Sequence, residues 1–593
     1  DCEVERKRHS PLATFAFCAH YQCMGSSAVN QPTAAEQRAT ADRLVLHAGA
    51  AAAARRDTIK ALAEQSFDLI IIGGGITGAG AAREAALRGH RVALVERDDF
   101  AAGTSSRSSR LVHGGVRYLE HGHVGLVFES SRERRLLLQL APHLVRPLAF
   151  TWPVYRGERM PKWKLRIGLA MYDALSLFRN VGRHEALNVD EVLDAEPELG
   201  RDGLTGGARY WDAATDDTRL TLASVIAARE AGAVVANHVD VIAGLTEQGK
   251  LTGVSVHDHI ADRTFAVHAP LVINCTGPWS DATAALTGVP STHAVHGAVG
   301  AHVAVSRQRI GNRDAITITS PLDGRVMFVL PAGVHTIIGT TERPASGGPD
   351  DVRASAQEVM YLLRSVNERF PYANLTSDDV ISAWAGIRPL AASATGSARD
   401  TGGASREHAI VRAANGLVSV TGGKLTTYRA MAIDIIDRAT GHKASAQARE
   451  RSEGEPLPGG DIISLEQTEH EASATVHDAA VGERLARAYG GRWRNVWSYA
   501  QRDASLRLRL VDQLPYLVAE VAHAVERESA CTLADVLVRR THVAYETRDH
   551  GVGVAERIAP LMAALLGWSD AERDSALETY RAESTRLFSV EPI

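Results

Sequence analysis

The sequence predicts an α/β chain with a parallel-sheet core, an α+β portion and a helical C-terminal domain. Three observations lead there: a strand, glycine turn, helix and strand in order at residues 67–96, later strand-like runs alternating with helical patterns, and a change of texture after about residue 450. The chain's 593 residues, 45% of them hydrophobic, suffice for roughly two or three domains with substantial cores.

Residues 1–66 are rich in Ala and Arg and carry the small-residue run Ala48 to Ala54; they read as a poorly ordered extension outside the catalytic fold. Asp1, Glu3, Glu5, Glu36 and Asp42 are unlike an acid-poor targeting segment. Phe67–Gly73 is an apolar run too short for a helix and ends in glycine, which predicts a buried strand. Ala79–Leu87 favours helix, and Arg91–Glu96 reads as a second strand, completing a βαβ unit with parallel strands. Further strands are expected at 232–237, 271–274, 301–305, 326–330 and 336–339. A Gly/Pro connector at 453–460 leads into Ala-, Leu- and Arg-rich segments such as Tyr516–Arg527 and Val554–Leu566, and 451–593 reads as a helical packing or oligomerisation domain.

Gly73-Gly-Gly75-Ile-Thr-Gly78 fits the dinucleotide fingerprint G-x-G-x-x-G. The first glycine permits the tight turn, the second backbone approach to a pyrophosphate, and the third close packing of helix on strand. The helix N-terminus then faces the phosphates, and Glu96, at the end of the second strand, can accept from ribose hydroxyls. This is a Rossmann-type site for an ADP-containing cofactor, and these residues alone do not separate FAD from NAD.

Four further blocks do. Ala102–Glu120 (AGTSSRSSRLVHGGVRYLE), Asn274–Trp279 (NCTGPW), Gly386–Leu390 (GIRPL) and Gly422–Arg429 (GGKLTTYR) closely resemble, in order, the blocks of FAD-dependent, quinone-linked glycerol-3-phosphate dehydrogenases of the bacterial aerobic type, within the D-amino-acid-oxidase-like superfamily. The tail, including Thr532–Thr541, is similar to that family's C-terminal domain. The resemblance implies an FAD domain spread over residues 67–450 and interleaved with an inserted substrate domain, about 151–205 and 290–380, that carries an antiparallel sheet. It implies oxidation of glycerol 3-phosphate to dihydroxyacetone phosphate by hydride transfer to non-covalent FAD, with electrons passed to a membrane quinone.

The same resemblance assigns Thr104, Ser105 and Ser106 as donors to the cofactor and His113-Gly114-Gly115 as backbone close to the isoalloxazine. Thr276 and Gly277 follow a buried strand, where backbone can approach the ADP half. Gly422 and Gly423, followed by Leu425 and Thr426, precede a helical run whose N-terminus can face the flavin pyrimidine and stabilise charge on the reduced ring. A phosphorylated substrate needs cationic, forked donors, and the family pattern places them at Arg117, Arg388, Lys424 and Arg406, with Tyr118 beside them. His302 aligns with the family's active-site histidine and is the candidate base, with Tyr118 and His113 in reserve. Two departures stand out: Val299 where the family has Lys, and Glu342 where it has Asp.

The segment Trp152 to His184 holds seven Lys/Arg against two Asp/Glu and an apolar face of Leu165, Leu169, Tyr172, Leu175 and Phe178 at helical spacing. It is expected either to lie on the anionic inner face of the plasma membrane or to pack on the substrate domain. No stretch is long and apolar enough to span a bilayer, so a cytoplasmic protein attached peripherally is expected. The net charge of −5 gives no reason to expect nucleic-acid binding. Five unevenly spread cysteines suit a reducing compartment and lack metal spacing, and no calcium-loop motif occurs in the C-terminal region. The alternatives are a glycerol-3-phosphate oxidase using oxygen, a related flavin oxidase with another substrate, and a flavin-binding protein without turnover.

Overall fold

The structure is a computed structural model and describes residues 49–115, 124–158, 160–175, 181–289, 296–345, 348–390 and 408–592. Its first element lies inside the segment expected to fall outside the catalytic fold, and for residues 50–64 the outcome differs from that expectation. Helix α1 (Ala50–Glu64) buries Ile59 and Leu62 against the nucleotide-binding part, and Arg55 donates to the Asn237 carbonyl at 3.0 Å and pairs with Asp258 at 2.6 Å. The poly-alanine start carries no amphipathic signal of its own, so only these tertiary contacts reveal that the helix belongs to the fold.

Strand β1 (Leu69–Ile72), helix α2 (Ile76–Leu87) and strand β2 (Val92–Val95) form the expected unit, with β1 and β2 paired in parallel. They sit in a six-stranded sheet with Val234–Ala236 at one edge and Val272–Asn274, Val418–Thr421 and Ala409–Arg412 on the other side. Leu69 and Ile71 face a cluster with α2 and the helix Tyr428–Thr440; Ile70 and Ile72 face a second cluster with Ile59, Leu62 and a three-stranded antiparallel sheet. Both faces of β1 are therefore covered, which is why its sequence is apolar without alternation.

A ten-stranded, largely antiparallel sheet forms the other half. Its strands include β3 (Val145–Tyr155), β4 (Leu204–Thr215), β5 (His296–Ser306) and β6 (Val380–Leu390). One face packs on the helix Ala356–Asn367, whose apolar residues recur at helical spacing. The other shares its core with the C-terminal helices that run from Leu465 to Phe588. Those helices are tied to the nucleotide-binding half by Asp99, which accepts from Arg539 at 2.8 Å and from Arg540 at 2.6 and 2.9 Å, all fully or nearly buried.

Two helices pack together at the edge of this sheet, α3 (Val124–Leu140) and α4 (Lys162–Leu175). The apolar face that the sequence offered to a membrane turns inward: Leu165 and Leu169 are buried in a core shared with β3 and β4, and Tyr172 is buried against Val127 of α3 with Leu175 partly covered beside it. Phe178 lies outside the described residues. The opposite side carries a second apolar row, Trp163, Ile167 and Met171, one turn apart and 66%, 54% and 45% exposed.

Candidate active site

A cavity of about 680 Å³ runs from the glycine turn after β1 to the face of the large sheet. Gly73, Gly75 and Glu96 line one end, Thr276 and Gly277 the middle, and Gly422, Gly423, Lys424, Leu425 and Thr426 the other side; His302, Arg388, Thr104, Ser105 and His113 complete the wall. Gly78 is not in the wall. A Cβ there would collide with the Gly73 carbonyl oxygen, so it serves the close packing of α2 on the turn. Ser106 and Gly114 also stand back from the wall. The Ser106 hydroxyl donates to the Gly103 carbonyl at 3.3 Å, and the Gly114 N–H donates to Asp212 at 3.0 Å. Arg117, Tyr118 and Arg406 lie outside the described residues.

At the nucleotide end, Glu96 accepts from the Gly74 N–H at 2.6 Å and the Asp98 N–H at 2.9 Å, which fixes its carboxylate beside the turn. Burial, reinforced by the Asp98 charge, pushes the Glu96 carboxyl up to about 7. The Ser105 hydroxyl accepts from the Ile76 N–H at 3.0 Å and caps the start of α2. Thr104 donates to the Ile387 carbonyl at 2.7 Å, tying the loop to β6 beside Arg388. Cys275 is small and buried, with its thiol pushed up to about 12 by burial.

The register of β5 against β6 builds the chemical end. Gly300 pairs with Gly386, His302 with Trp384 and Ala298 with Arg388, so His302, Gly300, Trp384 and Arg388 share one face of the sheet. The bare Gly300 leaves room for the Arg388 guanidinium, which would stand 3.1 Å from a Cβ there. Arg388 donates to the Thr340 hydroxyl at 3.3 Å and lies 4.0 Å from Glu342, which itself accepts from Arg325 at 3.0 Å. The two departures from the family pattern are thereby separated. Val299 points to the opposite face, fully buried among Ala301, Val303 and Ile387, whereas Glu342 stands behind Arg388.

His302 stacks on Trp384 with ring centroids 5.5 Å apart, and its Nε2 lies 2.9 Å from the Ser109 hydroxyl. Burial, followed by the Arg388 and Arg110 charges, holds its imidazole down at about 3, so the ring is neutral at ordinary pH. Ser109 carries no signal of its own in the sequence, although it sits inside the recognised block. Outside the recognised blocks, Asp217, a fully buried carboxylate in the cavity wall that accepts from the Ser108 hydroxyl at 2.6 Å, and Asp212 also join the wall. Neither aspartate has a motif around it, and only the fold brings them to the wall.

The wall thus offers a glycine turn, a helix N-terminus and an acid at one end, a glycine pair and helix start at the other, and room for an extended dinucleotide between them. The family description "FAD dependent oxidoreductase" matches residues 68–429 of the chain. The chain belongs to this FAD-dependent oxidoreductase family. Its cofactor is FAD, which the donors and close backbone approaches above fit. A second family, described as the C-terminal domain of alpha-glycerophosphate oxidase, matches residues 451–573. Among curated relatives, "Glycerol-3-phosphate dehydrogenase 2" of Mycobacterium bovis is 38% identical over 543 residues, 90% of this chain and 91% of that protein. "Aerobic glycerol-3-phosphate dehydrogenase" of Staphylococcus saprophyticus is 33% identical over 538 residues, 88% of this chain and 95% of its own length. The structure of the glycerol-3-phosphate dehydrogenase from Bacillus halodurans complexed with FAD superposes with a TM-score of 0.74 at 30% identity, covering 91% of this chain and 99% of that one.

Proposed function

We propose that this protein oxidises sn-glycerol 3-phosphate to dihydroxyacetone phosphate and passes the electrons to a membrane quinone. The observation that carries the reading is the shared face of β5 and β6, which sets a neutral histidine and an arginine side by side on the wall of a cavity built for FAD. The names of the relatives supply the substrate, and this wall supports it chemically. Arg388 and Lys424 hold the phosphate, with Arg117, Tyr118 and Arg406 joining them on the strength of the sequence pattern alone. Bound FAD supplies a two-electron hydride acceptor. His302 accepts the hydroxyl proton at Nε2 as the Ser109 hydroxyl turns aside, and Trp384 keeps the ring plane fixed. A phosphate dianion against Arg388 weakens the positive field on His302, so substrate binding raises the basicity that the imidazole needs.

Anaerobic mixing of the FAD-loaded protein with glycerol 3-phosphate tests this directly: bleaching of the flavin absorbance is expected, and its absence removes the reading. The match of residues 451–573 to an oxidase's C-terminal domain favours one alternative, transfer of the electrons to oxygen. Stoichiometric peroxide under air, with no gain in turnover from a soluble quinone, selects that alternative.

The quinone reading also needs contact with lipid. Among the described residues no helix is long and apolar enough to cross a membrane. The exposed row Trp163, Ile167 and Met171, with exposed Lys164 and Arg166 on the same helix and exposed Val124 and Phe128 on the helix α3 that packs against it, supports peripheral attachment to the inner face of the plasma membrane.

A further inference from the structure

Three side chains from three elements meet at the cavity wall, where Asp212 lines the cavity and Tyr172 and Arg134 stand behind it. Asp212 Oδ1 accepts from the Tyr172 hydroxyl at 2.7 Å and from the Arg134 guanidinium, which also donates to the Tyr172 oxygen at 2.7 Å. The residues are 3%, 1% and 3% exposed. Burial pushes the Tyr172 phenol well above its ordinary range, so it stays a hydrogen-bond donor, and the guanidinium is held above its ordinary value against burial by Tyr172 and Asp212. The same Asp212 oxygen accepts from the backbone N–H of Gly114 at 3.0 Å. Gly114 has no alternative to glycine here, because a Cβ would run into the Tyr172 hydroxyl. On its other side the His113–Gly115 turn is held by Thr426, whose hydroxyl lies 3.2 Å from the His113 nitrogen and 3.3 Å from its carbonyl oxygen. His113, Gly115 and Thr426 all line the cavity, as does Asp212.

We propose that Asp212, gripped by Tyr172 and Arg134, is a positioning residue that sets the His113–Gly115 turn at the flavin and keeps the local charge balanced there. This rests on the reading that the turn lies beside the isoalloxazine. A buried ion pair with satisfied hydrogen bonds fixes geometry more than it adds stability, while removing one partner leaves an uncompensated charge in a low-dielectric region. Asp212→Asn leaves the Arg134 cation, which favours the reduced, anionic flavin; Arg134→Gln leaves the Asp212 anion, which disfavours it.

The test uses the FAD-loaded full chain. The flavin midpoint potential, measured by dye-linked reductive titration without substrate, is expected to rise in Asp212→Asn and fall in Arg134→Gln. Tyr172→Phe, which removes one hydroxyl and no charge, is expected to leave the potential nearly fixed. It should slow anaerobic bleaching by glycerol 3-phosphate about tenfold, as a sub-ångström shift of the turn implies, with the half-saturating concentration within about twofold. Should Asp212→Asn fail to fold, Arg134→Gln and Tyr172→Phe still decide. Unmoved potentials together with a wild-type bleaching rate in Tyr172→Phe, even with lowered thermal stability, overturn the proposal and leave a purely structural cluster. Opposite shifts of potential in a protein that glycerol 3-phosphate never bleaches uphold the positioning role and remove only the substrate assignment.

Discussion

The Nε2 of His302 lies 2.9 Å from the hydroxyl of Ser109, a residue almost two hundred positions earlier in the chain. With Trp384 stacked on the ring, the imidazole is held from its edge and from its face. Ser109→Ala keeps the stacking and removes the hydroxyl. Turnover is expected to fall about tenfold with little change in the half-saturating substrate concentration, as for loss of an interaction that orients a base. Steady-state kinetics that show the reverse split would place Ser109 in substrate binding instead.

The depressed imidazole of His302, at about 3 against 6.5 in the unfolded chain, gives a pH dependence with a definite sign. Between those values the unfolded state binds the proton and the folded state does not, so stability falls as pH drops through 6.5 toward 3. His143, also buried and also held at about 3, adds to the same slope. His302→Gln is expected to flatten the fall in thermal midpoint across that window, and a slope identical to the parent's would contradict the assignment.

Arg388 is anchored in part by the Thr340 hydroxyl at 3.3 Å, with the Glu342 carboxylate 4.0 Å away. Arg388→Ala is expected to weaken glycerol 3-phosphate by about 2 kcal/mol, roughly thirtyfold, as for loss of a charge-assisted contact to the phosphate. Arg388→Lys keeps the charge but not the fork and should recover only part of that loss. Glu342→Gln loosens the anchor without touching the phosphate, so a rise of about tenfold or less in half-saturating concentration is expected.

Asp99 is a carboxylate shared by Arg539 and Arg540 where the C-terminal helices meet the nucleotide-binding half. Asp99→Asn takes the shared anion from two buried cations, leaving Arg539 with Asp535 and Glu583 and Arg540 with Glu528 at 3.9 Å, and is expected to destabilise the protein by about 3 kcal/mol. Asp535 also pairs with Arg539, at 2.9 Å, and moderates the effect. Denaturant unfolding measures it, and a change under about 1 kcal/mol would show that this ion cluster adds little to holding the two halves together.

The exposed row on α4 gives a membrane experiment that separates its two faces. Trp163→Asp with Ile167→Asp is expected to abolish sedimentation with vesicles of anionic lipid while leaving the flavin spectrum unchanged, since neither side chain belongs to the core. Replacing Lys164 and Arg166 by Glu should weaken the same binding in a salt-dependent way. Equal sedimentation of all three proteins would rule out this face.

The features legible in the sequence are the local ones. The unit at residues 67–96 shows itself because a strand covered on both faces must be apolar throughout and because the turn and the helix packing require glycine at fixed spacing. The His302–Arg388 relationship depends on a strand register between segments more than seventy residues apart, and no local pattern carries it. Periodicity finds an apolar face on α4 but not its partner: Leu165, Leu169 and Tyr172 meet protein, while Trp163, Ile167 and Met171, at equally helical spacing, meet solvent. Asp212 and Asp217 sit in a polar stretch that looks like a loop until β4 and the helix after it place them in the wall.

Helix α1 touches both halves of the molecule: Arg55 reaches Asn237 and Asp258 in one and comes within 3.9 Å of the Cys531 sulfur in the other. The glycine signature near residue 73 is therefore not where the folding unit begins. A protease that cuts before Gly49 spares every described contact, whereas one that cuts after Glu64 severs the chain from the rivet between its two halves. Resistance to digestion in that short window then reports whether the halves remain joined.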